Sequence, residues 1–366
     1  MKIWCAISGH GMGHVGQVAP LLRALAHLSP TPLKLHIHCQ VSRARLARKL
    51  HGLVWQHDAR ATDIGLVQHD PMVPDLPATA AILNHSCTQW EPQLAQESTR
   101  IQAFQPDLIL ADIPPLTLAA GKRLGIPTVA LSSLSWDAIY PDYFADHPNL
   151  SEWLNRLYGA YAGADLALLP IPHMGKRRFP HTLEIPPIWE RGTPRELALR
   201  QRLGIDPGDR RPVVLVSLGG IQSQGFPIQP LLHADHLHIL ADVPTLPSAP
   251  HIHGLNPLRH WPFADIMASV DGVVGKPGYN MAVESVAYAL PFFYSARGHF
   301  ADEPPIQDWL QQFGRTHAYP WTALQNGAWL QDWSPLYHQP KPAKPAMNGA
   351  EVGARALLSR FGTQRL

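Results

Sequence analysis

Cysteine is nearly absent from this chain, and the three that occur (Cys5, Cys39 and Cys87) form no C-x-x-C pair. That excludes a disulfide-stapled scaffold and a zinc ribbon, and it suits a reducing compartment. Net charge is small as well. Thirty Lys and Arg against 28 Asp and Glu leave +2, too weak a field to suggest a nucleic-acid partner. No run reaches the ~18 apolar residues of a membrane helix. The apolar start from Ile3 to Ile7 is too short for a signal core and runs straight into glycines. A soluble cytoplasmic protein is the expectation, with peripheral membrane contact left open. H-E-x-x-H and G-x-S-x-G are both missing, which removes the signatures of a zinc peptidase and a serine hydrolase.

What is present is a large apolar fraction, 45% of 366 residues, enough for two domains. Strand-like runs stand at 2–7, 33–39, 107–111, 127–131 and 165–169, with helical spacing between them at 15–28, 42–51 and 90–104. The pattern restarts at 213–218 and continues through 237–240, 271–274, a helix near 280–289, and 291–295. Short apolar strands alternating with helices predict parallel sheets covered on both faces. The expected fold class is therefore α/β, with two doubly wound Rossmann-like domains facing a cleft. The Pro- and Arg-rich stretch 170–195 reads as the inter-domain linker, and 338–349 as a second one. The N-terminal domain is expected to span 1–185 and the C-terminal domain 190–345. In such sheets ligands bind beyond the carboxyl ends of the strands.

Two glycine loops lie at such ends. The first runs Ser8-Gly9-His10-Gly11-Met12-Gly13-His14, with Gly16 after it. Gly11, Gly13 and Gly16 satisfy G-x-G-x-x-G, yet a dinucleotide site wants an acidic residue ~20 positions on. None occurs between Gln17 and His57, which disfavours NAD; Arg43 and Arg45 leave NADP open. A dinucleotide loop needs no imidazole, whereas a general base near neutral pH does, so His14, and secondarily His10, are candidates. The second loop, Gly275-Lys276-Pro277-Gly278-Tyr279-Asn280, lacks the G-x-x-x-x-G-K-[ST] pattern of a triphosphatase. It still offers backbone N–H groups and a positive helix end to a diphosphate, and Glu284, about one turn on, is either a partner for ribose hydroxyls or, more simply, a solvated helix residue.

Other candidates lie on the same cleft edge. Asp112 and Asp137 follow strands, where a carboxylate acts as a base or orients a histidine, or else caps a loop. Arg297, Asp302 and Glu303 follow the strand at 291–295, with phosphate or sugar hydroxyls as their expected partners. Three H-x-H pairs (His36/His38, His236/His238, His251/His253) lack the further ligands that a metal site requires. Trp309, Trp321, Trp329 and Trp333 offer either sugar stacking or core packing, with packing preferred. Neither a metal nor a cofactor is expected.

Several blocks then match one pattern in order. Gly9 to His14, Asp112 to Pro115, Ser132 to Asp137, and Lys276 to Tyr279 resemble the glycosyltransferase-like N-terminal region of L-arabinokinases. The first loop is also similar, more distantly, to that of the lipid II N-acetylglucosaminyltransferase. The resemblance is thus to glycosyltransferases of the GT-B fold and covers most of residues 1–305. It implies a nucleotide-sugar donor on the C-terminal domain. Gly219, Gly220 and the segment from Gly275 to Asn280 would hold its diphosphate, Glu284 its ribose, and Asp302 and Glu303 its sugar. The acceptor, whether saccharide, lipid or small molecule, would sit near His14 and the loop of His10, Gly11, Met12 and Gly13. The last helix, in 350–366, would pack back on the N-terminal domain. The expected reaction is inverting and, with no Asp-x-Asp motif, metal-independent. A nucleotide-sugar sensor and a nucleotide-sugar epimerase on the same fold stay open. Lys276-Pro277 and Tyr279 depart from the lipid II enzyme, which has small residues in that loop and Ser or Thr after the last glycine.

Overall fold

The computed structural model describes residues 1–9, 12–69, 72–219, 226–242, 246–247, 249–298 and 300–362. Thirteen strands and thirteen helices are found among them. The first half holds β1 (Lys2–Ile7), α1 (Gly13–Leu28), β2 (Lys34–His38), α2 (Arg43–Lys49), β3 (Trp55–Asp58), α3 (Leu76–Phe104), β4 (Leu108–Asp112), α4 (Pro115–Leu124), β5 (Thr128–Leu131), α5 (Trp136–Phe144), α6 (Leu150–Ala162), β6 (Leu166–Pro170) and β7 (Thr182–Ile185). The second holds α7 (Glu196–Arg202), β8 (Val213–Ser217), β9 (His238–Ala241), β10 (Ile252–Gly254), α8 (Phe263–Met267), β11 (Gly272–Gly275), α9 (Tyr279–Tyr288), β12 (Pro291–Tyr294), α10 (Glu303–Phe313), β13 (Arg315–Ala318), α11 (Trp321–Gln325), α12 (Trp329–His338) and α13 (Gly349–Phe361).

The strands form two wholly parallel sheets. Their orders are β3-β2-β1-β4-β5-β6-β7 and β10-β9-β8-β11-β12-β13. Alternation along each central strand serves two cores at once. Ile3, Cys5 and Ile7 of β1 join Leu108 and Leu110 of β4 under α1, while Trp4, Ile109 and Ala111 face α3 to α6. In the second sheet Val213, Leu215 and Phe292 face one core, and Val214, Val216 and Phe293 the other. Each sheet order reverses at its first strand, so both crevices open at the carboxyl ends of β1/β4 and β8/β11.

Four strands escape the apolar pattern: β3, β7, β10 and β13. All four are sheet edges. An edge strand faces water on one side, so sequences such as WQHD and RTHA carry no apolar run. β7 lies inside the stretch 170–195, so that segment is not wholly a linker: it adds an edge strand and buries Ile185 and Ile188 in the first core. The helix expected over 90–104 starts far earlier, at Leu76, because Pro77 occupies its first turn and Pro92 is accommodated within it. Asp75 caps it, accepting the Ala78 N–H at 2.9 Å.

α13 lies against α1, with Ala354 and Leu357 buried beside Leu21 and Leu22. Trp309, Trp329 and Trp333 are core residues: the last two ring centroids sit 5.7 and 6.1 Å from Phe293. No helix among the described residues is long and apolar enough to cross a membrane.

Candidate active site

β1 and β4 are neighbours, and their carboxyl ends deliver the central pair. His14 enters in the first turn of α1, and Asp112 is the last residue of β4. Their side chains meet at 2.8 Å, Nδ1 to Oδ1, and both are buried. Burial opposes a charge on His14, but the Asp112 carboxylate and its hydrogen bond outweigh burial, with Asp63 and Asp302 adding to them; the imidazole pKa is raised. Asp112 as a carboxylate accepts a hydrogen bond from Nδ1–H, which fixes the tautomer and leaves the Nε2 lone pair for chemistry. The other Asp112 oxygen, Oδ2, is buried without a hydrogen-bond partner among the described residues.

Asp63 escaped the sequence reading. It lies in the loop after edge strand β3, where no apolar run announced a strand end. Its Oδ2 accepts hydrogen bonds from Ser8 Oγ and, at 2.9 Å, from Trp136 Nε1. Gln17, one helical turn after His14, was also missed. Its Nε2 donates to Ser133 Oγ at 3.0 Å, tying α1 to the end of β5, while its Oε1 is buried without a partner among the described residues. Asp112, not Asp137, holds His14. Asp137 is buried in the first turn of α5, its Oδ1 unpaired, and its charge acts on Tyr161.

Across the cleft, β8 ends at Ser217 and β11 at Gly275. Gly219 follows with φ of +90°, a conformation glycine adopts freely, and lies beside the Lys276 side chain. A Cβ on Gly275 would stand 2.2 Å from the Ser217 carbonyl oxygen, so the close approach of these strand ends requires glycine there. Pro277 and Gly278 lead into α9, and the Gly278 N–H donates to the Lys276 carbonyl at 2.9 Å. Asn280 reaches over to the first half, where its Nδ2 donates to the Gly13 carbonyl at 3.1 Å. Gly16 exists for this crossing, because a Cβ there would lie 2.3 Å from Asn280 Nδ2. That explains the last glycine of the apparent dinucleotide motif. Tyr279 is committed elsewhere: its hydroxyl accepts from Ile188 N at 3.0 Å and donates to Ile171 O at 3.2 Å.

The loop after β12 closes the site. Glu303 accepts two hydrogen bonds from Arg297, from Nε at 2.6 Å and from the backbone N–H at 2.8 Å. The same guanidinium reaches Asp302 at 3.3 Å and lies over the Phe300 ring at 3.5 Å. Phe300 packs into the α3–α6 core of the first half, near Tyr143. Arg297 and Glu303 are thus occupied with each other, whereas Asp302, more loosely held by Arg297, lies within electrostatic reach of Lys276 and His14. Burial raises the Asp302 carboxyl to about 6, against the pull of Arg297. Glu284 is buried farther along α9, where burial pushes it up to about 8 near Lys49 and Glu190. His10, Gly11 and Gly220 lie outside the described residues; Met12 precedes α1 as its N-cap, and Gly13 begins the helix.

The histidine pairs are otherwise engaged. His36 stacks on Trp4 at 4.0 Å, and His38 bonds Glu97 at 3.2 Å. His238 bridges Asp209 at 2.9 Å and His253 at 3.0 Å, and His251 bonds the Leu231 carbonyl at 3.1 Å. Among the described residues, no three His, Cys, Asp or Glu side chains are grouped as metal ligands would be. Arg43 lies over the Trp55 ring at 4.6 Å.

Two facing doubly wound domains with a crossover helix can be compared with solved structures. The glycosyltransferase of kitacinnamycin superposes with a TM-score of 0.60 at 15% identity, covering 99% of this chain and 95% of that one. Glycosyltransferase VinC, solved with dTDP, gives 0.56 at 16%, with 99% and 96% covered. A UDP-glucosyltransferase from Polygonum tinctorium, capable of glucosylating indoxyl, gives 0.60 at 13%, with 99% and 94% covered. The fold is GT-B. No protein-family model matches the chain. Among curated proteins it is similar to the L-arabinokinase of Arabidopsis thaliana, 23% identical over 365 residues. The match takes in 96% of this chain, which spans about a third of that relative's length (33%). The arabinokinase resemblance and the GT-B resemblance therefore hold together.

Proposed function

We propose that this GT-B protein transfers a sugar from a nucleoside-diphosphate sugar to a hydroxyl acceptor, with inversion and without a metal. The observation that carries the reading is the buried His14–Asp112 pair, set opposite Asp302 and Lys276 across the cleft. His14 Nε2 takes the acceptor proton, and the acceptor oxygen attacks the anomeric carbon. The nucleoside diphosphate leaves from the opposite face, so a single displacement inverts the centre. Lys276, Gly219 and the N-terminus of α9 receive the charge that develops on the diphosphate. Asp302 accepts hydrogen bonds from the donor sugar. The dTDP bound by one structural neighbour and the UDP-sugar named for another support a pyrimidine nucleotide as donor.

Thermal shift against UDP, dTDP, GDP, ADP, CDP and NADP, first without metal and then with magnesium, tests the donor site. One nucleoside diphosphate is expected to stabilise the protein without metal, by about 2.7 kcal/mol at a hundredfold excess over its Kd. Stabilisation by none of them overturns the reading. With the donor in hand, His14→Ala is expected to bind it normally and lose about 10²-fold or more in turnover. Nucleotide binding with no transfer by the native protein would mark a sensor instead.

A further inference from the structure

Between α1, the crossover segment 186–195 and the start of α13 lies an open cavity of about 640 Å³. Arg23 and His27 come to it from α1, Trp189 and Arg191 from the crossover, and Glu351 and Arg355 from α13. It is remote from the candidate active site. His14 and His27 mark opposite ends of α1, which at ~1.5 Å per residue puts them about 20 Å apart.

The cavity walls carry three guanidinium groups against one carboxylate. Arg23 is engaged with the Lys49 carbonyl and, at 3.4 Å, with Glu190. Arg191 and Arg355 are exposed and have neither a hydrogen bond nor an ion pair among the described residues. The N-terminus of α13 opens on the same space. Its N-cap Asn348 makes no side-chain cap, and Gly349 N donates to the Pro187 carbonyl, which leaves the Ala350 and Glu351 N–H groups without helical partners. The Trp189 indole forms a flat wall held in place by its Nε1 bond to the Met347 carbonyl at 2.9 Å and by edge contact with Tyr288. Forked guanidinium donors from separate elements, supplemented by a helix start, match a phosphate group, whose several oxygens can engage more than one guanidinium at once.

We propose that this cavity is a second, non-catalytic site for a phosphate-bearing small molecule, separate from the donor loop. Its position gives occupancy a route to the cleft. Glu190 is shared by Arg23 and Lys49, and both Lys49 and Glu190 act on Glu284 of α9. An anion that draws Arg23 away from Glu190 changes the charge beside α9, the helix whose start carries Asn280 and adjoins Lys276.

Titration calorimetry of the full chain with inorganic pyrophosphate tests the site. Two saturable binding events are expected in the native protein, one at the donor loop and one here, and Arg191→Ala/Arg355→Ala is expected to weaken the second about tenfold or more. The Lys276→Ala variant, which removes the donor-loop cation, should retain it. Both arginines are exposed, so the double variant loses no core contact, and its circular dichroism and Tm should match the native protein. Absence of saturable binding to the Lys276→Ala variant up to about 10 mM, or binding to that variant that is unchanged when both arginines are also replaced, overturns the proposal.

Discussion

Opposing electrostatic pulls act on the His14 imidazole: burial disfavours its charge, and Asp112 at 2.8 Å favours it more strongly. A base must be neutral to accept a proton, so turnover should rise with pH through the His14 pKa. Asp112→Asn removes the pull that raises that pKa. The acid limb of the pH–rate profile is therefore expected to move to lower pH, while the maximal rate falls because Nδ1–H loses its anionic acceptor. Profiles of native and variant enzyme measure this, and a limb that stays in place would show that His14 is not the group titrating. His14 and Asp112 were legible in the sequence as residue types at strand ends. Their contact was not, since 98 positions separate them. Asp63 was not legible at all, because its loop follows a polar edge strand.

At the scale of elements, interior strands were readable and edge strands were not. β1, β4, β8 and β11 are buried on both faces and therefore apolar except at their ends, whereas β3, β7, β10 and β13 have one side in water. At the strand ends that border the cleft, β8 runs close against β11. Gly275→Ala places a methyl 2.2 Å from the Ser217 carbonyl oxygen, a backbone atom that cannot rotate away. The expected cost is about 1–3 kcal/mol of stability, read as a lowered Tm, together with weaker binding of the donor nucleotide, because Gly219 and Lys276 extend from the displaced strand ends. A native Tm with native nucleotide affinity would show that the second loop tolerates separation and does not hold the diphosphate.

Across the whole molecule, the two sheets meet through α9, and Glu284 is buried in that contact. Burial raises its carboxyl from an ordinary 4.5 to about 8, with Lys49 pulling down and Glu190 pushing up. A raised carboxyl imposes no cost below pH 4.5, and stability falls as pH climbs from there to about 8. Glu284→Gln should therefore raise Tm at pH 9, leave it unchanged near pH 4, and flatten the dependence between. Melting curves across that range decide it. An equal Tm for both proteins at pH 9 would mean that Glu284 is solvated, as a residue open to a ribose would be.

The order of apolar runs and glycine loops was enough, without coordinates, to determine two doubly wound α/β halves and the glycine-bearing strand ends that border the cleft. Burial on both faces imposes a composition on central strands, and sharp turns impose glycine. Which residues face one another was decided only by the tertiary structure. His14 found Asp112 rather than Asp137, Arg297 closed on Glu303 rather than standing free, and Gly16 proved to be spacing for Asn280. Such pairings depend on the register of β1 against β4 and on how α1 crosses α9. Those are set by packing between segments far apart in the chain, and local residue patterns carry no record of them.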